Sequence, residues 1–247
     1  LSGDRVFAAT STDVTLSGIT TGSSRVALKG AENAALRVQN DSTLSTIALD
    51  PAGAATASLT GGSSAETLVI AGRGGDVTVS GPCENIEITA ANRTIRLSNT
   101  AADTLTVTGS GNTIVVDGTV GAVSVNAGAK NNTLTLNGSV DTLVAAGIGA
   151  KIGGSGKAKS IDVRAANCTV TLKADSKIEN VDTGLAGVTI RLGVPTRVTA
   201  GGSLLTQASF DGVDEEKICT AQWYQDGKAL DGFKNTHFAL RPGAISN

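Results

Sequence analysis

The chain has 247 residues, a formal net charge of −2 and a pI of about 5.4, so no excess of basic residues would draw it to nucleic acid or to an anionic membrane. Only 2% of the residues are aromatic and 31 are glycine, a composition that favours thin, repeated layers over a core filled by large rings. No apolar run approaches the roughly eighteen residues of a membrane-spanning helix. The three cysteines and the single histidine are too scattered for a structural zinc site.

Short segments in which apolar and polar residues alternate recur along residues 14 to 192, in two interleaved sets. Alternation is the period of a β-strand with one buried face. The apolar pairs of the first set are Val26/Leu28, Ile47/Leu49, Leu68/Ile70, Ile86/Ile88, Leu105/Val107, Val123/Val125, Leu143/Ala145, Ile161/Val163 and Val181/Thr183. The pairs of the second set are Leu36/Val38, Ala57/Leu59, Val77/Val79, Ile95/Leu97, Ile114/Val116, Leu134/Leu136, Ile152/Gly154, Val170/Leu172 and Val188/Ile190. Each set recurs every 18 to 21 residues.

The bends between these segments repeat as well. Glycine or asparagine, which accept a positive φ at little cost, follows most second-set strands. A small or apolar anchor residue precedes most first-set strands by three positions, and we expect Cys83, one of these anchors, to be a small buried structural residue. The anchors are Leu44, Ala65, Cys83, Ala102, Val120, Val140, Ala158 and Ile178.

A strand, a bend, a strand and a bend, repeated about nine times, predict an all-β fold, a single-stranded parallel β-solenoid or β-helix. One coil cannot bury its apolar face alone, but stacked coils bury a continuous core. A β-propeller fits less well, because its blades need about forty residues and antiparallel hairpins.

The repeat ends near residue 193, and most of the aromatic residues follow it. The stretch CTAQWYQDGKAL, residues 219 to 230, resembles the central strand of a bacterial immunoglobulin-like domain, with a DGK turn after it. The resemblance implies that Trp223 is a structural core residue. We therefore predict a solenoid domain over 1–193 and, over 194–247, either part of an Ig-like domain or a capping β segment.

Residues 14 to 192 resemble, in spacing and composition, the coiled repeats of bacterial surface adhesins and filamentous haemagglutinin-like proteins. The resemblance implies a non-enzymatic rigid stalk or adhesin-type module at the cell surface or outside the cell. Its partners would be host or bacterial surface proteins or glycans, with no nucleic acid. The alternative is a carbohydrate-binding or carbohydrate-active β-helix, since polysaccharide lyases and pectinases also use parallel β-helices.

An enzyme of that alternative class would need acids and bases clustered in a groove with long walls. The bends here are short, and no aromatic residue that could stack on a sugar lies between Phe7 and Phe210. We therefore predict no enzyme, no catalytic residue and no cofactor-binding residue.

One outer position attracts attention because it carries acids on successive coils. Glu66, Glu84 and Asp103 each follow an anchor residue, so they would stack roughly 5 Å apart and repel one another. A Ca²⁺ ion would relieve the repulsion by taking their carboxylate oxygens. These three residues are therefore candidate calcium ligands, and solvated carboxylates without a metal are the alternative.

Threonine and asparagine form further rows. Flat threonine arrays serve as ice-binding surfaces on some solenoids, but Arg96, Val115 and Lys151 interrupt the rows here, and threonine is in any case a good strand former. We expect Asn112, Asn132 and Asn167, near the bends before second-set strands, to hydrogen-bond turn backbone or each other. One threonine row contains Thr94, Thr113, Thr133 and Thr169, and the neighbouring row contains Thr78, Thr135, Thr171 and Thr189.

Overall fold

The computed structural model describes residues 5–7, 11–19, 25–30, 32–172, 176–181, 185–192, 197–198, 207–209, 223–225 and 228–230. All regular structure in these ranges is β-strand. No helix that could cross a membrane is present in this part of the chain.

Twenty strands form one parallel sheet that is wound into two ladders. The strands β10 (Thr94–Val107) and β11 (Thr113–Val125) run through both ladders. The other strands of the first ladder are β1 (Arg5–Phe7), β3 (Arg25–Lys29), β5 (Thr43–Asp50), β7 (Ser64–Ile70), β9 (Cys83–Ile88), β13 (Ser139–Ala145), β15 (Lys157–Val163), β17 (Lys177–Val181) and β19 (Arg197–Val198). Those of the second are β2 (Ser11–Ser17), β4 (Asn33–Gln39), β6 (Ala54–Leu59), β8 (Asp76–Ser80), β12 (Thr133–Leu136), β14 (Lys151–Gly154), β16 (Thr169–Leu172), β18 (Thr189–Leu192) and β20 (Gln207–Ser209).

The chain is a parallel β-solenoid, as the sequence predicts, and its core is a column of stacked aliphatic side chains. In the first ladder Val26 pairs with Ile47, Ile47 with Leu68, and Leu68 with Ile86. Each of these side chains is at most 1% exposed. Burying one such side chain contributes about 1.5–3 kcal/mol to the stability of the fold. Because apolar and polar residues alternate along the strands, every coil buries side chains of this kind.

The predicted anchor residues from Leu44 to Ala158 form a row of their own, whereas Ile178 pairs with Ile161 and not with the anchor Ala158. Leu44 pairs with Ala65, and Ala65 with Cys83; farther along, Val120 pairs with Val140. Cys83 is 1% exposed. The anchor row closes the core where a second-ladder strand leads into the next first-ladder strand.

The opposite bend, where a first-ladder strand leads into a second-ladder strand, carries a row in which glycine and asparagine alternate coil by coil. We call this row the asparagine–glycine edge. All its residues have φ between 54° and 74°, the left-handed region that glycine and asparagine tolerate. Its members are Gly74, Asn92, Gly111, Asn131, Gly149, Asn167 and Gly187.

The alternation follows from a contact between neighbouring coils. A Cβ added at Gly111 would collide with Oδ1 of Asn92, and one added at Gly149 would collide with Oδ1 of Asn131. Each asparagine side chain therefore lies over the backbone of the next coil, and that coil has room only for glycine. At this edge the sequence pattern therefore repeats every two coils.

A buried polar row stands one residue after this edge. Asn112 Oδ1 accepts a hydrogen bond from Arg93 N at 3.0 Å, and Asn112 Nδ2 donates to Ala90 O at 2.7 Å. Asn132 repeats the pattern on the next coil, with Asn112 N at 2.9 Å and Gly109 O at 2.9 Å. The prediction that Asn112 and Asn132 bond backbone between coils is confirmed, whereas Asn167 belongs to the left-handed row instead.

The register differs from the sequence alignment at three places. Val77 pairs with Ala55 rather than Ala57, because the bend before β8 (71–75) is longer than the bend before β6 (51–53). Val181 pairs with Val163 rather than Ile161, after an irregularity in the strand at which Ile161 pairs with Ile178. A shift of two residues keeps each side chain on its face of the sheet, so Val77 and Ile190 stay buried.

The third difference moves one threonine between rows. Ile190, not Val188, pairs with Val170. Thr189 therefore pairs with Thr169 in the first threonine row, and Arg191 takes its predicted place in the second.

Parallel pairing continues beyond the predicted boundary at residue 193, because β19 pairs with β17 and β20 pairs with β18. Farther on, β21 (Trp223–Gln225) pairs antiparallel with β22 (Lys228–Leu230). The side chain of Trp223 and most of residues 194–247 lie outside the described part of the chain, so the Ig-like or capping segment stays a prediction.

Candidate functional site

The three candidate calcium ligands lie on consecutive coils. Each follows an anchor residue, and we call the anchor row together with these following residues the anchor edge. Glu66, Glu84 and Asp103 are all exposed. Among the described residues, no three His, Cys, Asp or Glu side chains come close enough together to hold a metal ion. The predicted acidic row is therefore present, but its carboxylates do not converge on one point.

The acidic row borders an open depression of about 370 Å³. Its lining includes the small residues Ala65 and Ala102, with Gly121 where the next acid of the row would stand. Glu84, Asp103 and Asp141 also contribute to the lining. The depression exists because alanine and glycine replace larger residues at this edge.

The charge around the depression is partly balanced. Asp141 pairs with Lys159 at 2.6 Å, with the two side chains 56% and 67% exposed. An ion pair this exposed contributes about 0–1 kcal/mol. What remains is a weakly negative surface that could attract a cationic group without enclosing it.

Neither described cysteine has the properties of a nucleophile. Burial raises the pKa of the Cys83 thiol to about 12, so the thiolate that would react is absent at neutral pH. Burial also raises the pKa of Cys168, whose Sγ donates to Gly147 O at 3.4 Å in the place that asparagine occupies on earlier coils. Both thiols are therefore core residues.

The threonine rows lie on the outer face of the second ladder. Thr94, Thr113 and Thr133 pair in sequence along one row, and Lys151 continues it. The neighbouring row passes from Thr78 through Arg96 and Val115 to Thr135, so charged and apolar side chains interrupt both rows as predicted.

One of the interrupting residues, Arg96, belongs to a polar network that runs along the rod. Arg96 pairs with Asp117 at 2.5 Å, Asn137 donates to Asp117 at 2.6 Å, and Ser155 donates to Asn137 at 3.4 Å. These groups bind one another on successive coils. They do not converge on a vacant position.

Arg93 is the residue that the sequence analysis missed. It is 2% exposed and carries a guanidinium inside the solenoid. Burial lowers its pKa, and the nearby Asp50 carboxylate raises it. Its position in the repeat could have identified it. Arg93 immediately precedes Thr94, as the buried Asn112 precedes Thr113, and the two coils before Arg93 have glycine at that position.

No protein-family model matches the chain, and neither the search of curated proteins nor the search of solved structures found a match. The function has therefore to be argued from the fold and its surface alone.

Proposed function

We propose that the chain is a rigid, non-enzymatic module of a secreted or cell-surface protein, a stalk or adhesin-type rod. The observation that carries the proposal is the parallel ladder, which continues from coil to coil on both faces. Each coil is tied to the next by backbone hydrogen bonds along the rod axis, and many such bonds share any axial load.

The bends support the same role because they add contacts between coils. At the asparagine–glycine edge each asparagine fills the space over the next glycine, and Asn112 and Asn132 bond the backbone of neighbouring coils. A rod closed in this way resists bending as well as extension. Such stiffness suits a spacer that holds a binding domain away from a surface.

The surface supports a module without catalysis. The described polar groups of the outer faces are spread along rows or bound to one another, and the raised pKa of Cys83 keeps its thiol protonated. Recognition of a surface protein would then use shallow contacts along the threonine faces or the acidic anchor edge.

The direct test is mechanical. The purified chain is held between two handles in an optical trap and pulled along its length. A spacer extends little until groups of coils unfold together at a definite force. Gradual extension at low force would contradict the spacer role.

A glycan-array screen, with and without calcium, separates the spacer from the carbohydrate-binding alternative. The proposal expects no saturable binding under either condition. Saturable binding of a defined glycan would favour the alternative, and its dependence on Glu84 and Asp103 would show whether the anchor edge is the site.

A further inference from the structure

Arg93 makes more contacts between coils than any asparagine of its row does. Its Nη1 donates to Gly53 O at 3.1 Å, and its Nη2 donates to Arg73 O at 3.2 Å and to Pro51 O. Its own backbone N–H is held by Asn112 from the following coil. One side chain thus joins the backbone of two earlier coils to the rest of the rod.

The two earlier bends are shaped to admit this side chain. A Cβ added at Gly72 would collide with both Asp50 Oδ1 and Arg93 Nη2, and one added at Gly75 would collide with Gly53 O. Glycine therefore leaves the space through which the guanidinium reaches back along the rod. The Asp50 carboxylate beside that path favours the charged form of the arginine.

The glycines of these two bends contribute no side chain that could bond the bend carbonyls. In later coils Asn112 and Asn132 each satisfy a carbonyl of an earlier bend, Ala90 O and Gly109 O. The equivalent positions in the two earlier coils are Gly53 and Gly75, which have no side-chain hydrogen-bond donor. Their bend carbonyls depend on Arg93 alone among the described side chains.

We propose that Arg93 is a clamp that closes the bends at 51–53 and 72–75 together. The bond to Pro51 O is buried, and those to Gly53 O and Arg73 O are partly buried. Because a carbonyl that loses its donor where water has little access is destabilising, loss of this one side chain releases both bends, the bend at 51–53 more than the bend at 72–75, while the coils after Thr113 keep their asparagine bonds. Arg93 thereby determines where the rod opens first. This inference concerns the stability of the fold and holds whether or not the chain serves as a spacer.

Hydrogen–deuterium exchange of the full chain tests the clamp, with Arg93→Ala compared with the matched control Arg96→Ala, three residues farther along, in the strand that Arg93 precedes. Arg96 is exposed and bonds Asp117. In Arg93→Ala we expect amide exchange over 50–55 and 71–76 to rise at least about tenfold, as the loss of charged hydrogen bonds shifts a local opening equilibrium. Exchange over 113–136 should stay within about twofold, and Arg96→Ala should change neither bend.

Limited trypsin digestion provides a second measurement, because Arg73 lies in one of the two bends. Cleavage after Arg73 should accelerate in Arg93→Ala and not in Arg96→Ala. If Arg93→Ala does not fold, Arg93→Lys keeps the charge but presents one nitrogen in place of the forked guanidinium, and it should still raise exchange in at least one bend. Unchanged exchange at both bends, or a uniform rise along the whole rod, would overturn the proposal.

Discussion

The asparagine–glycine edge and the anchor edge close the same coils by different means. At the first, an asparagine side chain lies over the glycine of the next coil, and a row of buried amides bonds backbone one residue later. At the second, alanine, cysteine and valine face inward and acids face water around an open depression.

The difference shows how a repeating fold divides its tasks between two bends. Buried polar groups need partners in fixed places, so at the asparagine–glycine edge the coils that carry Arg93, Asn112 and Asn132 are tied to specific atoms of their neighbours. At the anchor edge the anchors supply only apolar volume, and the outer position after each anchor is free to vary; buried serines two residues before an anchor, such as Ser42 and Ser63, tie only some coils of this bend. We therefore expect substitutions to be severe at the first edge and mild on the surface of the second.

The largest effect should come from the core that both edges enclose. Val107 is fully buried and pairs with Ile88 and Val125. Val107→Asp places a charge in a thin core and should lower the free energy of unfolding by at least about 4 kcal/mol, measured by chemical denaturation. Thr106→Asp, on the outer face of the same strand, is the control; equal losses from both would show that the inward assignment is wrong.

Breaking the buried amide row should come next. Asn132→Ala leaves the Asn112 N–H and the Gly109 carbonyl without their side-chain partner, which should lower the free energy of unfolding by about 2–4 kcal/mol. The exposed Asn137, which bonds Asp117, gives the matched control Asn137→Ala, expected to change stability by less than about 0.5 kcal/mol. If the two variants lost similar amounts of stability, the asparagine–glycine edge would be no more important to the fold than the exposed surface.

The interlock of asparagine with glycine predicts a smaller loss and a partial rescue. Gly111→Ala forces alanine into φ 73°, which costs about 1–2 kcal/mol from the backbone alone, and it pushes against Asn92. Adding Asn92→Gly should recover the part due to the collision, a coupling that a double-mutant cycle measures.

The control for this pair is Gly128→Ala, because an added Cβ at Gly128 meets nothing within 4 Å and the φ of that residue is not positive. It should be nearly neutral. If Asn92→Gly rescues nothing, the two-coil repeat does not arise from the contact between these side chains.

The smallest effect is expected at the anchor edge. Asp103→Asn removes one of the stacked exposed carboxylates and should change stability by no more than about 0.5 kcal/mol, with a slight gain because repulsion from Glu84 falls. Thermal melts with and without calcium should coincide for the native chain and the variant. A rise in Tm with calcium that Asp103→Asn abolishes would restore the calcium site and make the anchor edge functional.

The alternation of the sequence was sufficient to predict the strands, the inward rows and the solenoid itself. Leu68 and Ile86 face inward because side chains alternate along a strand, and no distant contact can change that. The acidic row followed from the same repeat, since Glu66, Glu84 and Asp103 each stand one residue after an anchor. Whether those carboxylates converge on an ion depends on their side-chain directions, which the repeat does not determine.

The sequence by itself thus determined the period, the buried face and the positions of the bends, because these depend on local alternation and on residues that tolerate positive φ. Only the tertiary structure decided which coil residues meet. The pairing of Val77 with Ala55 follows from a bend of unequal length, and the alternation of Asn92 with Gly111 follows from a contact across coils. In the sequence alone, Arg93 looks like an ordinary surface arginine. In the folded chain it stacks on the glycine-rich bends of two earlier coils, which give its guanidinium three backbone carbonyls to bind.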